Sequence, residues 1–300
     1  MEELGVDAEE IRQHEGEMMT CDSLSQLPPI PKTFGEGEFD PLAGLSQYQM
    51  GKFQRMKEAV SEMQLTESER KWASDMCLLR YLRARDWKIA KSVPMFTKTI
   101  EWRREFDVEN IEPEQLEIES ETGKNYLAPI FDKFGRPVVV MSPGRQNTDT
   151  YDRQMQYTVF NMERAIRRMD ESKGIEQMVL LFDLNGFSLS TRPPLSVSKQ
   201  FLDILSNHYP ERLGVAFIID APWLFSAFWK LIRPFVNKKT RDKIIFVSGN
   251  TDPKSKKYQA FAEYFDMSQM EKRFGGSSDF EYRHSEFWPA LIEDYWRTAN

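Results

Sequence analysis

The chain has 300 residues, 40% of them hydrophobic, enough to fill a sizeable core in one generous domain or in a domain with a helical appendage. Two cysteines 56 positions apart, Cys21 and Cys77, and three histidines, His14, His208 and His284, do not make a disulfide scaffold or a structural zinc site, so no metal and a reducing, cytoplasmic setting are predicted. The N-terminus has neither a basic leader nor an apolar run, and no stretch approaches ~18 uninterrupted apolar residues, which argues against secretion and a membrane span.

The net charge of -7 is uneven, because residues 1–40 hold eleven acidic residues against Arg12 and Lys32, and the remainder sums to +2. An acidic total disfavours nonspecific nucleic-acid binding, while a nearly neutral body leaves room for a basic patch facing an anionic ligand or membrane. Residues 1–49, with LPPIPKTFGEGEFDP, read as an acidic leader.

A helical section is predicted over residues 50–108. KFQRMKEAVSEM, from about 51, forms a short amphipathic helix. Thr66-Glu67-Ser68-Glu69 spells a capping box before a longer helix running through MCLLRYLRA. Pro94 lacks a backbone N–H and fits only near a helix start, so the next helix should begin at 89–92. Residues 109–130 read as irregular or weakly helical, and GRPVVVM (135–141) as a strand.

From residue 151 helices and strands alternate: YDRQMQYTVFNMERAIRRMDES as a helix, EQMVLLFD (176–183) as a strand, LSVSKQFLDILSNHYP as a helix, and GVAFIID (214–220) as a strand. WLFSAFWKLIRPF (223–235) follows as a helix and KIIFVS (243–248) as the last strand. The pattern predicts an α/β fold with a mainly parallel sheet and helical crossovers. No GxGxxG, GxxxxGK[ST] or GxSxG segment is present, which removes the cheapest support for nucleotide-binding and hydrolase readings. Cys77-x5-Arg83 has a phosphatase-like spacing, but mid-helix amides are already committed, so Cys77 reads as a core residue. Asp183 and Asp220 each close a strand without a companion histidine and read as caps. No catalytic residue is assigned.

APWLFSAFWKLIRPFV (221–236) is unusually apolar. As a helix it carries Trp223, Phe225, Phe228, Trp229 and Ile232 around more than one face, so it needs apolar surroundings on both sides. Either it is an ordinary crossover, or it is a lid over an apolar cavity whose outer face meets a bilayer beside Lys230, Arg233, Lys238, Lys239, Arg241 and Lys243. A second basic segment, Arg80 to Glu105, holds eight basic and three acidic residues. If Arg85 meets Thr240 and Lys243, a guanidinium, a hydroxyl and an ammonium together suit a phosphate.

CLLRYLRARDW, FDKFGRPVVV, LLFDLNGFSLS, NHYPERLGVAFIIDAPWLFSAFWKLIRPFV, TRDKIIFVSG and KRFGG, in that order over residues 50–280, resemble the Sec14-like phosphatidylinositol transfer proteins of the CRAL-TRIO lipid-binding family. The resemblance implies a helical subdomain (50–108), a CRAL-TRIO lobe (109–280) enclosing one lipid beneath a gating helix, and a C-terminal extension (281–300). Arg85, Glu211, Thr240 and Lys243 match the family's phosphoinositide signature and are expected at the headgroup. Two departures stand out. Asp86 replaces a lysine common in the founding member, which weakens the local field unless it pairs. Met178 and Leu180 replace a serine and threonine that recognise choline lipids there, which argues against phosphatidylcholine and for a less polar second ligand.

The implied function is phosphatidylinositol transfer between membranes, with a bound phospholipid, no other cofactor, transient membrane contact, no nucleic acid, and a functional link to a phosphoinositide kinase. A non-transferring sensor or presenter uses the same residues. A lipid-modifying enzyme would need a nucleophile and base that these residues do not supply.

Overall fold

The computed structural model describes residues 39–299, leaving aside the side chains of 297–299. Most of the expected leader, with His14 and Cys21, lies outside the described residues.

Helix α1 (Gln47–Ser61) starts four residues earlier than expected, because Ser46 and Gln49 form a reciprocal capping box. The Thr66 box forms as read, but it opens only α2 (Glu67–Trp72). Ala73 leaves helical geometry, and Ser74 accepts from Cys77 N at 3.3 Å to cap a new helix, α3 (Asp75–Ala84). The single long helix predicted there is therefore two, each with its own cap. Helix α4 (Ile89–Glu105) begins inside the predicted window, yet Pro94 falls in its second turn, where its missing N–H leaves the Ala90 carbonyl without a helical partner. Phe53, Met56, Cys77, Tyr81 and Phe96 make the core of this helical layer. Cys77 is fully buried, and burial pushes its thiol pKa up, as befits a packing residue.

Short 3-10 turns and α5 (Glu117–Ser120) lead into strand β1 (Asn125–Phe131), which the sequence reading had as irregular. Strands β2 (Pro137–Met141), β3 (Met178–Asp183), β4 (Leu213–Ile219) and β5 (Ile244–Val247) follow in spatial order β1-β2-β3-β4-β5. Only β1 runs antiparallel to its neighbour; β2 through β5 are parallel, joined through α6 (Tyr151–Arg167), α7 (Leu195–His208), and α8 (Trp223–Ile232) with α9 (Lys238–Arg241).

Strand residues alternate between two cores, as a period of two dictates. Val138, Val140, Val179, Leu181 and Phe217 face α10 (Lys256–Tyr264) and Phe274. Val139, Met141, Leu180, Ala216 and Ile218 face α6, α7 and α8. The helix α11 (His284–Ala299) sends Trp288 and Leu291 into this second core, so the stretch expected as an extension packs on the lobe. The second face is where the cavity lies.

Candidate lipid cavity and polar chamber

Helix α8 roofs an apolar cavity of about 270 Å³ whose floor is the sheet. Phe225, Phe228, Trp229 and Ile232 come from the roof, and Leu180, Phe182, Ala216 and Ile218 from the floor. Aromatic contacts hold the roof: Phe228 packs on Phe187 with ring centroids 6.0 Å apart, and Trp229 meets Phe246 edge-on at 5.7 Å. Phe228 and Trp229, about 100° apart on the helix, thus both face the cavity. Trp223 does not line it. It opens the helix and is 58% exposed; Leu189, Leu195 and Phe235 are further exposed apolar side chains. Pro234 ends the α-helix early, and Arg233–Phe235 continue as a 3-10 turn.

A second chamber of about 320 Å³ adjoins the first, and Leu180, Leu205, Leu213 and Thr240 belong to both walls. Arg85, Glu211, Thr240 and Lys243, from three separate segments, all line it; Met178 lines it too and not the apolar cavity. Arg85 ends α3 and donates to Asn207 Oδ1 at 3.2 Å. Glu211 is held at φ 59°, a left-handed conformation uncommon for a glutamate, by the Tyr209-Pro210 turn between α7 and β4. Lys243 enters β5 with its Nζ donating to Leu213 O at 2.7 Å and lying 3.9 Å from Glu211 Oε2. Burial draws its ammonium pKa below the usual range, and Glu211 partly offsets this.

Three further cations line the chamber. Arg212, 5% exposed, donates to Glu176 O at 3.0 Å, and burial with the nearby Arg80 guanidinium brings its pKa down to about 10. It lay in plain view in YPER but went unassigned, because only the glutamate of that segment carried the family signature. Lys238 and Lys239 are the others. Asp86, the departure from the founding pattern, pairs with Lys239 at 2.7 Å, so its charge is answered locally; Lys239 holds its carboxyl below the ordinary range. Among the described residues Asp86 and Glu211 are the only acidic ones on the wall, so five cations face two carboxylates.

The sequence motifs earn their places as supports. Gly214 leaves room for Arg136, since a Cβ there would stand 2.4 Å from Nη1, and Arg136 in turn bonds Asp132 Oδ2 at 2.6 Å. Gly144 lies against the Asn185-Gly186 backbone, where a Cβ would be 2.1 Å from Asn185 O. Asp183 is paired with Arg273 at 2.7 Å and Asp220 with Lys257 at 2.6 Å, so both strand-closing carboxylates are structural. Among the described residues no group of three or more His, Cys, Asp and Glu is placed to hold a metal ion.

The pattern of the CRAL/TRIO domain matches residues 120–276, and that of the CRAL/TRIO N-terminal domain matches residues 52–98. The chain belongs to the CRAL/TRIO family. Its lobe is thus a Sec14-like lipid-binding fold. Over 229 residues it is 39% identical to a CRAL-TRIO domain-containing protein of Schizosaccharomyces pombe, covering 76% of this chain and 21% of that one. Over 241 residues it is 33% identical to the phosphatidylinositol transfer protein PDR17 of Saccharomyces cerevisiae, covering 76% and 65%. The Sec14 cytosolic factor of Schizosaccharomyces pombe is 29% identical over 238 residues, 74% of this chain and 82% of the other. The chain spans less than two thirds of the length of the first two. The crystal structure of Sfh5 superposes with a TM-score of 0.61 over 87% of this chain and 100% of that one at 16% identity, a likeness of fold. No helix among the described residues is long and apolar enough to cross a membrane.

Proposed function

We propose that this CRAL/TRIO domain binds phosphatidylinositol and exchanges it between membranes, one lipid per cycle. The observation that carries the reading is the junction of two unlike chambers: a cation-rich one lined by Arg85, Thr240 and Lys243, and an apolar one sharing its wall. An anionic, hydroxyl-rich headgroup needs donors for its phosphate and an acceptor for its hydroxyls. Arg85, Thr240 and Lys243 supply the first and Glu211 the second. Acyl chains need apolar burial comparable to the bilayer they leave, at ~0.8 kcal/mol per methylene, and the α8 cavity supplies it.

Exchange requires an opening. Trp223 opens the roof helix α8 and Phe235 closes the turn after it, both exposed, so docking on a membrane through them would bring these side chains to the bilayer and let the roof move. Met178 and Leu180 offer no hydroxyl to a choline headgroup, so phosphatidylcholine should be exchanged weakly. Radiolabelled transfer between vesicles, run in parallel for both lipids, tests this reading. Transfer of phosphatidylinositol well above phosphatidylcholine is expected, and equal transfer of the two overturns the specificity.

A further inference from the structure

The rim of the cationic chamber, as distinct from its interior, carries positive charge that no described residue answers. Lys238 and Lys239 line the chamber but keep 79% and 65% of their side-chain surface exposed, so they stand at its mouth. The Asp86–Lys239 pair ties this rim to the helical layer. Beside it, the exposed Lys88 and Lys91 add to the pull that Lys239 exerts on the Asp86 carboxyl. Arg241 ends α9, its guanidinium donating to Val236 O at 2.5 Å. Two carboxylates, Asp86 and Asp242, answer Lys239 and Lys238, whereas Lys88, Lys91 and Arg241 form no ion pair among the described residues. A headgroup held by Arg85, Glu211, Thr240 and Lys243 uses none of these five cations.

The same chain holds the complementary charge. Between Glu2 and Asp22 the sequence has eight acidic residues and one basic, Arg12, counting His14 as neutral. That stretch lies outside the described residues, but the place where the chain enters the structure does not. Phe39 N donates to Ser172 O at 3.2 Å, and the adjacent Glu171 lies 3.9 Å from Arg212 Nη2, on the chamber wall. Arg212 leads into β4 and the Lys238–Lys243 segment into β5, neighbouring strands about 4.8 Å apart. Sixteen residues separate Asp22 from Phe39, and fully extended they reach about 55 Å, which covers the rim with slack. The tether also spares such a contact the entropy of bringing two molecules together.

We propose that the segment Glu2–Asp22 docks in cis on this rim, its carboxylates on Lys88, Lys91, Lys238, Lys239 and Arg241, and yields it to an anionic membrane surface. The two occupants want the same cations and exclude each other. A docked leader covers the mouth of the chamber, so exchange is restrained in solution and released where membrane charge outcompetes it. The restraint rests on the lipid-exchange reading, whereas the docking itself stands apart from it.

The test treats the full chain with a carbodiimide, which joins a carboxylate to an amine only where they touch. An equal mixture of 14N and 15N chains is used, and the products are mapped by mass spectrometry. The exposed Lys57–Asp75 pair, 3.0 Å apart, is the internal standard. Crosslinks from Glu2–Asp22 to Lys88, Lys91, Lys238 or Lys239 within one chain are expected, weakening at about 1 M salt, where the screening length is about 3 Å. The standard forming without them overturns the proposal. So do crosslinks spread equally over exposed lysines elsewhere, such as Lys133 and Lys254, or crosslinks that join unlike chains.

Phosphatidylserine vesicles give a second readout. Glu9→Gln, Glu10→Gln, Glu15→Gln and Glu17→Gln together should raise co-sedimentation about fivefold at low salt. The gain should fall by about half or more in a chain that also carries Lys88→Gln and Lys91→Gln, neither of which lines the chamber. No gain, or a gain untouched by the rim substitutions and so due to overall charge, overturns the proposal. Absence of phosphatidylinositol transfer with the crosslinks intact would instead remove the exchange reading and leave the docking in place.

Discussion

The rings of Trp102 and His208 stack face to face, with centroids 4.3 Å apart and planes 3° from parallel. Trp102 belongs to the helical layer and His208 ends α7, so the pair bonds the layer to the lobe. Thr99 Oγ1 reinforces it with contacts to Asn207 O at 3.1 Å and His208 Nδ1 at 3.2 Å, and Arg85 reaches Asn207 from the end of α3. One short segment thus docks the helices with Asn207 and His208 and shapes the cationic chamber with Glu211 and Arg212. Burial brings the His208 pKa down to about 4 from an ordinary 6.5.

That depression makes the joint acid-sensitive. The folded protein binds fewer protons than the unfolded chain between the two values, so stability is full above about 6.5 and is lost as pH falls toward 4. At ~1.4 kcal/mol per pKa unit, discounted for the ring's partial exposure, the loss is about 1–2 kcal/mol. Urea midpoints at pH 7 and 4.5 for the native chain and His208→Gln check it. The variant should show the smaller drop, and an equal drop removes His208 as the cause.

Lys243→Ala should abolish most phosphatidylinositol transfer. The ammonium it removes bonds Leu213 O at 2.7 Å, so a stability cost of about 1 kcal/mol is expected, not unfolding. Transfer and circular dichroism belong together here: lost ellipticity makes the residue structural, and retained transfer takes it out of the headgroup site.

Replacing both Phe228 and Trp229 by Ala should lower exchange of every ligand alike, in contrast to Lys243→Ala. Each ring lines the cavity and packs on another aromatic, so removing them costs up to about 3–5 kcal/mol apiece and can unfold the chain. Hydrogen exchange over residues 221–239 avoids that ambiguity. Vesicles should deprotect this segment selectively, and unchanged protection during active exchange argues that the roof stays shut.

Trp223→Glu separates the outer face from the inner. The side chain is 58% exposed and off the cavity wall, so the melting midpoint should barely move. Vesicle co-sedimentation should fall by about thirtyfold if ~2 kcal/mol of apolar burial in the bilayer is lost. Undiminished sedimentation places the docking face elsewhere.

The parallel strands and their crossovers were legible because each is a short apolar run bounded by turn residues. Strand β1 was not, because Pro129 sits inside it and reads as a breaker. On an edge strand a missing N–H need not break a ladder bond, and the pairing with β2 shifts register between Leu127 and Phe131, across this position. The break between α2 and α3 went unread for a different reason: Ser74 is an ordinary residue until its hydroxyl is seen on Cys77 N. Chamber-lining residues carried by a short signature, such as Lys243, could be named in advance. Arg212 could not, since its place on the chamber wall comes from its burial beside Glu176 O, a fact of packing that no spacing along the chain encodes.

Leu180, Leu205, Leu213 and Thr240 are walls with two sides. In the proposed reading one lipid fills both chambers, its headgroup on one side of this wall and its chains on the other, so the two ends bind as linked halves of a single site. Such linkage is reciprocal: whatever factor chain binding imposes on the hold on the headgroup, headgroup binding imposes on the hold on the chains. A carrier built this way has a ready means of unloading, because loosening the chains when the roof opens also weakens the grip on the headgroup.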